Sequence, residues 1–274
     1  MYNIKLLCGD IMCLLEIKNL TFNFGKKKIF DNLNLNINHQ SFVSISGKNT
    51  CGKTTLIKLL SGNIITDNNV KIDGILINSI NKDLIENKIC IFSPESKYYS
   101  ETVLDELLFE MKKYDIISLN KIKKYLNELN LIKYIDKSPQ VLNYVERQKL
   151  CLVKAIIKES KLLLIDNIFS YFDQFSKIEF ISLLKKYQQK YNFSILMTIT
   201  DLTDSIFTDR LIIINNGKVL LDGSPEEIYK EEKILKRIGL NLPFNYELHN
   251  KLKLYNLIEG QSIDIDDMVQ EICK

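Results

Sequence analysis

Residues 47–54 read GKNTCGKT and fit the pattern G-x-x-x-x-G-K-[ST] through Gly47, Gly52, Lys53 and Thr54. The spacing has a physical purpose. Glycines let successive backbone N–H groups curl around a phosphate, and the N-terminus of a following helix adds positive potential there. Lys53 then reaches the outer phosphate oxygens of a nucleotide, and the Thr54 hydroxyl ligates Mg²⁺. Far downstream the apolar run KLLLID ends on Asp166. A carboxylate at the C-terminal end of a buried strand stands where open parallel sheets bind ligands, and there it would hold the water shell of Mg²⁺. Nucleotide-hydrolysing proteins with both pieces usually place a glutamate next, to activate water. This chain has Asn167. An asparagine cannot take a proton, and a missing general base commonly costs ~10²- to 10⁴-fold in rate.

These residues need elements to position them. FVSIS (42–46) alternates apolar and polar residues and breaks at Gly47, as a strand entering a loop does. From Lys53, KTTLIKLLSG is apolar at 56, 57, 59 and 60 and stops at Gly62, which predicts a helix with a glycine C-cap. VKIDGILIN and DRLIIINNGKVLLDG read as hairpins turning at Asp73-Gly74 and Asn216-Gly217. KLLLID and FSILMTIT have the continuous apolar runs of parallel strands covered on both faces. Between them and the loop, residues 101–157 are lysine-rich and largely helical, with LNKIKKYLNELNLIKYI apolar at 119, 122, 126, 129 and 132. SPEEIY opens a helix, with Ser224 as cap, Pro225 at the first position and Glu227 closing a capping box. Beyond 231 the tail reads as short helices appended to the core, and no internal repeat is present.

The 274 residues suffice for one large domain with appendages and a full core. A net charge of +3 on scattered lysines gives no reason to expect a nucleic-acid partner. The six cysteines show neither C-x-x-C spacing nor a cluster with the two histidines, and read as reduced cytosolic thiols. No apolar run approaches bilayer length. Gly9-Asp10 and Glu16 interrupt the apolar N-terminus, against a signal peptide, and Met12 offers an alternative start after an extension of residues 1–11. His39 and His249 read as ordinary surface histidines. Lys121, Lys123 and Lys124 read as a solvated helical face.

With a phosphate loop near residue 50, a helical insertion and the second aspartate near 166, the chain resembles the ATP-binding subunits of ABC transporters. LLEIKNLTFNF and IFDNLNLNI look like that family's opening strands. The tail LKRIGLNLPFNYELHNKL with its acidic ending IDDMVQEIC is similar to the ATPases of energy-coupling-factor transporters, which take up vitamins and metals. The resemblance implies an α/β fold: a P-loop NTPase core of ABC-ATPase type over 12–230, a helical subdomain at about 95–157, and a short C-terminal helical extension over 231–274. It implies ATP and Mg²⁺ as ligands, with Phe24 stacking on adenine and Gly47, Lys48, Asn49, Thr50, Cys51, Gly52, Lys53, Thr54 and Thr55 around the phosphates. Thr54 and Asp166 would hold the metal.

The family's other motifs are present in position and altered in content. Where it has a glutamine after a strand, CIFSPESKYYSETV offers Phe92. Its signature L-S-G-G-Q/E lines up with LNYVERQ, so the serine and two glycines become Asn143, Tyr144 and Val145, while Glu146 and Gln148 survive. Asn167 takes the place of the base and Thr200 that of the switch histidine, whereas Asp173 and Asp201 remain. Val145 resists the positive φ that glycine permits, and Tyr144 adds bulk. Four changes in four motifs point to a chain that keeps binding and has relinquished most of its own chemistry. Ser93, Glu95 or another carboxylate standing in for the base is the alternative.

The implied protein is one half of an ATP-closed dimer on the cytoplasmic face of a membrane, with a second ATP-binding subunit (an intact paralogue rather than a second copy) and an integral membrane subunit as partners. Tyr98, Tyr99 and Phe109 could line the groove for that subunit, or pack a core; Tyr171 and Phe172 could reach the dimer interface. A regulatory ATP-binding protein that closes without turnover, and a soluble ABC ATPase outside transport, are the competing readings. A phosphoryl-transferring kinase would need an acceptor site, and none is evident.

Overall fold

A computed structural model describes residues 13–65, 69–95, 98, 100–113, 118–260 and 262–273; the expected N-terminal extension lies outside them. β1 (Cys13–Phe24) and β2 (Lys27–Asn38) pair antiparallel, and β2 turns Phe30, Leu33, Leu35 and Ile37 inward, with a register shift between Phe30 and Leu33 where Asn32 takes a φ of 58°. β3 (Phe42–Ser46) follows and runs through the glycine loop into α1 (Lys53–Leu60). β4 (Asn69–Ile72) and β5 (Ile75–Leu76) form a hairpin around Asp73 and Gly74, whose φ values of 50° and 77° are what a tight two-residue turn demands. α2 (Lys82–Lys88), β6 (Ile89–Phe92), α3 (Val103–Lys113), α4 (Leu119–Glu128) and α5 (Tyr144–Ile157) come next. The alternation β7 (Leu162–Asp166), α6 (Gln174–Tyr191), β8 (Ser194–Thr198) leads to the hairpin of β9 (Arg210–Asn215) and β10 (Lys218–Gly223). Helices α7 (Pro225–Tyr229), α8 (Glu232–Arg237), α9 (Phe244–Leu254) and α10 (Ile265–Ile272) follow among the described residues.

The strands make two sheets, a small antiparallel one in the order β2-β1-β4-β5 and a larger one in the order β10-β9-β3-β8-β7-β6. In the larger sheet β6, β7, β8, β3 and β9 run parallel, and β10 is an antiparallel edge. Successive residues of its strands face opposite layers. Leu162, Leu164, Leu196 and Ile212 pack with the apolar side of α1 and with the small sheet; Leu163, Ile165, Ile195 and Met197 pack with α5 and α6. Helix α1 is thus held between two sheets, and its Leu56 and Leu60 are fully buried. Each such side chain contributes roughly 1.5–3 kcal/mol, so the start of the helix is rigidly placed.

The central position of β3 alters its expected alternation. All five of its residues are buried, because a central strand has a layer on each side. Its serines find internal partners, Ser44 Oγ with Thr208 Oγ1 at 2.9 Å and Ser46 Oγ donating to the Ile199 carbonyl at 3.5 Å. The long amphipathic helix expected across 119–135 is also shorter than its periodicity suggests. Asn130 takes a left-handed φ of 58° and ends it; Ile122, Leu126 and Leu129 are buried, but Leu119 is half exposed. The capping box at Ser224 and Glu227 is formed. His249 is not a surface residue: α9 packs against α7, so the imidazole is 9% exposed and its Nε2 lies 3.2 Å from the Gly260 carbonyl. His39 is half-buried, 3.9 Å from Asp73. Lys121, Lys123 and Lys124 are exposed.

Candidate functional site

The glycine loop joins the C-terminal end of β3 to α1, and each glycine has a steric reason. A Cβ on Gly47 would meet the Ile214 carbonyl oxygen at 2.2 Å, and one on Gly52 would meet Ile29 at 2.7 Å and the Phe30 ring at 2.9 Å. Gly52 is the N-cap of α1 with φ 105°, a conformation L side chains rarely adopt. The loop therefore exposes the first turn of α1, whose free N–H groups form an anion-binding end. Lys53 folds back under the loop and is 9% exposed; its Nζ donates to the Gly47 carbonyl at 2.6 Å.

Parallel pairing sets Asp166, the last residue of β7, opposite Thr198 of β8. The Asp166 carboxylate accepts from Thr198 Oγ1 at 2.8 Å and from Thr54 Oγ1, on the first turn of α1, at 3.3 Å. A hydroxyl and a carboxylate side by side are hard oxygen donors of the kind Mg²⁺ prefers, with waters completing its shell. Among the described residues no cluster of three or more His, Cys, Asp or Glu could hold a metal by itself.

A cavity of about 460 Å³ opens over this point, lined by Phe24, Lys27, Ile29, Asn49, Thr50, Gly52, Lys53, Thr54, Thr55, Asp166, Asn167, Thr198 and Thr200. Phe24, at the end of β1, is 68% exposed beside it. The structure thus gathers Phe24, most of the loop, Asp166, Asn167 and Thr200 from four separate stretches of chain. Lys48 and Cys51 face elsewhere, into a second hollow of about 330 Å³ with Lys27, Lys28 and Asn215–Gly217.

Asn167 adopts a left-handed φ of 50°, which asparagine tolerates well, and its N–H donates to the Thr198 carbonyl at 3.2 Å. Its Oδ1 accepts from Ser170 Oγ at 3.0 Å and from Thr200 Oγ1 at 3.3 Å, and the two hydroxyls are themselves 3.3 Å apart. The positions that would carry base and switch are joined in a neutral cluster. Thr198 and Ser170 were not singled out by sequence reasoning. Thr198 carried a signal, being a polar residue inside an apolar strand one turn of the pleat before Thr200; Ser170 carried none.

The aligned signature residues do not reach this cavity. Asn143 caps α5: its Oδ1 accepts from the Glu146 N–H at 2.9 Å and its own N–H donates to Glu146 Oε2 at 3.0 Å. Tyr134 secures Glu146 Oε1 at 2.7 Å. Tyr144 and Val145 are in the helix with negative φ, so the backbone cost expected from losing glycine does not arise; what remains is bulk. Tyr144 is half-buried against Tyr171 and Phe172, at 5.2 and 5.5 Å between centroids, and its hydroxyl donates to the Ile168 carbonyl at 3.2 Å. Burial pushes its phenol well above the ordinary range. Phe172 turns inward, while Tyr171 is 62% exposed. Asp173 caps α6, and its carboxyl is lowered by the Ser176 hydroxyl and N–H that bond to it. Asp201 accepts from the Thr203 N–H at 2.8 Å.

Phe92 is not available as a surface group. It ends β6 fully buried in the core, and the first residue past the strand is Ser93, whose carbonyl accepts from Gln148 Nε2 at 3.3 Å. Tyr98 is half-buried, donating to the Arg147 carbonyl at 3.0 Å; Phe109 is 65% exposed; Tyr99 lies outside the described residues. No helix among the described residues is long and apolar enough to cross a membrane.

Comparison with known proteins agrees with this geometry. The chain is 26% identical over 270 residues to the energy-coupling factor transporter ATP-binding protein EcfA1 of Mycoplasma mobile, covering 95% of this chain and 97% of that protein. It is 28% identical over 251 residues to EcfA of Pediococcus pentosaceus, covering 87% and 89%. Its fold matches the solved structure of cbiO1 from Clostridium perfringens, described as part of the ABC transporter complex cbiONQ, with a TM-score of 0.72 at 19% identity over 87% of this chain and 99% of that one. A solved ATP-binding subunit of an ABC transporter matches with a TM-score of 0.70 at 21% identity, over 88% and 99%. The family model described as "ABC transporter" is matched by residues 30–170, just over half of the 274. With a phosphate loop, a strand-end aspartate and this doubly covered sheet in one frame, the chain belongs to the ABC transporter family, as an ATP-binding subunit.

Proposed function

We propose that the chain is the ATP-binding subunit of an energy-coupling-factor-type uptake transporter, one that binds MgATP and hydrolyses it poorly. The observation that carries this reading is the contrast within one cavity: Lys53, Thr54 and Asp166 are brought together intact, whereas Asn167 and Thr200 offer neither a carboxylate nor an imidazole. Backbone N–H groups of the loop and α1 hold the phosphates, Lys53 neutralises their charge, and Phe24 lies where an adenine ring can stack. Thr54 and Asp166 would hold Mg²⁺, which when bound would supply charge neutralisation at the phosphates. Asn167 can orient a water but cannot deprotonate it.

The signature residues stand away from the chain's own loop, which supports a dimer in which each α5 start faces the partner's nucleotide. The subunit sits at the cytoplasmic face of a membrane, attached to a separate membrane protein, and the second ATP-binding subunit is an intact paralogue rather than a second copy.

Equilibrium binding of a fluorescent ATP analogue with Mg²⁺ tests the core of this reading. Wild type should bind and turn over ATP at no more than about 10⁻² of an intact enzyme's rate, and Lys53→Ala should lose binding by tenfold or more, roughly the loss of one charge-assisted contact. Equal binding by both proteins would refute it.

A further inference from the structure

The neutral cluster at the base position is a built arrangement. Asn167 Oδ1 has two lone pairs, and two hydroxyls converge on it: Ser170 Oγ at 3.0 Å and Thr200 Oγ1 at 3.3 Å. Ser170 belongs to a 3₁₀ turn (Ile168–Tyr171) that starts directly after Asn167, and Asn167 is itself pinned by its N–H bond to the Thr198 carbonyl. With the amide oxygen occupied, the NH₂ is the part of Asn167 left to face the cavity that this residue lines, and nothing among the described residues accepts from it. A carboxylate here would present only acceptors toward phosphate oxygens and water. The asparagine held in this way presents donors.

We propose that Ser170 is a positioning residue that fixes the Asn167 amide with its NH₂ toward the terminal phosphate, so that this site distinguishes a nucleoside triphosphate from a diphosphate by hydrogen bonding instead of cleaving it. The proposal rests on the nucleotide-binding reading above and adds to it what the altered groups do. The loop backbone and the start of α1 would serve phosphates that both nucleotides possess, and Lys53 would reach the second phosphate as well as the third. The Asn167 NH₂ is the group left for the third phosphate, since the Thr200 hydroxyl donates to Asn167 Oδ1, and Ser170, which does not line the cavity, acts through the two residues it bonds, Asn167 and Thr200.

Calorimetric titration of the full chain with MgATP and with MgADP tests it, using wild type, Ser170→Ala and Ser170→Thr. Wild type should bind MgATP at least about tenfold more tightly than MgADP, as one or two hydrogen bonds to a charged phosphate would give. Ser170→Ala should weaken MgATP and leave MgADP unchanged, bringing the ratio to within about threefold, the scale of a single positioning bond. Ser170→Thr keeps the hydroxyl and should keep the wild-type ratio. A merely structural role for Ser170 would weaken both nucleotides together. An unchanged ratio in Ser170→Ala, a parallel loss of both nucleotides, or loss of the ratio in Ser170→Thr overturns the proposal while leaving the binding reading intact. Failure of wild type to bind either nucleotide overturns both.

Discussion

At the scale of the residue, the proposed loss of the base rests on Asn167, and its surroundings give a reason to expect that one change to glutamate should not raise activity. Asn167→Glu would introduce a carboxylate beside Thr200 and Ser170, hydroxyls that can bond to it but do not supply an imidazole. Its left-handed backbone also suits asparagine better than glutamate. Groups that act on one transition state are strongly non-additive. Steady-state ATPase of Asn167→Glu should therefore stay within a few-fold of wild type. A rise of about 10²-fold, the scale of a working general base, would show that the base was the only missing part.

At the scale of the element, a buried ion pair between α3 and α5 holds the helical layer together. Glu106 is 5% exposed and pairs with Lys154, which Glu110 also approaches at 3.7 Å; Glu106 accepts in addition from the Ser100 N–H at 3.2 Å. Burial pushes the Glu106 carboxyl up, but the Lys154 ammonium outweighs it and the net direction is down. A depressed carboxyl contributes stability that is complete above its ordinary value near 4.5 and is lost as pH falls below that value through the folded one. Glu106→Gln leaves Lys154 buried with a weakened partner. It should cost about 3–5 kcal/mol, as breaking a buried pair from one side does. Chemical denaturation at neutral pH checks the cost. The same measurement near pH 4 should find the gap between wild type and variant narrowed, and a constant gap would rule out the pair as its origin.

At the scale of the whole molecule, Asn143, Tyr144 and Val145 at the start of α5 do not line the cavity at the loop, and the dimer we propose would bring each of them to the partner's nucleotide. In a pair with an intact paralogue, one site joins this chain's phosphate loop to a good signature without a base. The other joins the partner's base and histidine to Asn143, Tyr144 and Val145. The second is the site expected to work, since the α5 start is well formed and its cap is a hydrogen-bonding asparagine. Mutating the phosphate-loop lysine on each side of the co-purified pair should abolish ATPase when the partner is changed and spare most of it in Lys53→Ala. The reverse pattern, or brisk activity from this chain alone, would overturn the assignment.

Much of this was legible in the sequence because it is local. A glycine-lysine-threonine spacing, an apolar run ending in aspartate, the Asp73-Gly74 and Asn216-Gly217 turns and the Ser224 cap each depend on a few adjacent residues, and the structure forms all of them. What failed depends on layers the sequence does not display. FVSIS alternates apolar and polar residues, yet β3 is central and all five are buried; Phe92 stood at the family's glutamine position, yet it ends β6 inside the core; His249 read as a surface residue until α9 packed on α7. Ser170 is the clearest case. Nothing in IFSYFD marks its hydroxyl, and only the parallel pairing of β7 with β8 brings Thr200 and Asn167 close enough for all three to meet. The composition of the site was written in short motifs, but hydrogen bonds between residues thirty positions apart exist only once the sheet has set their register.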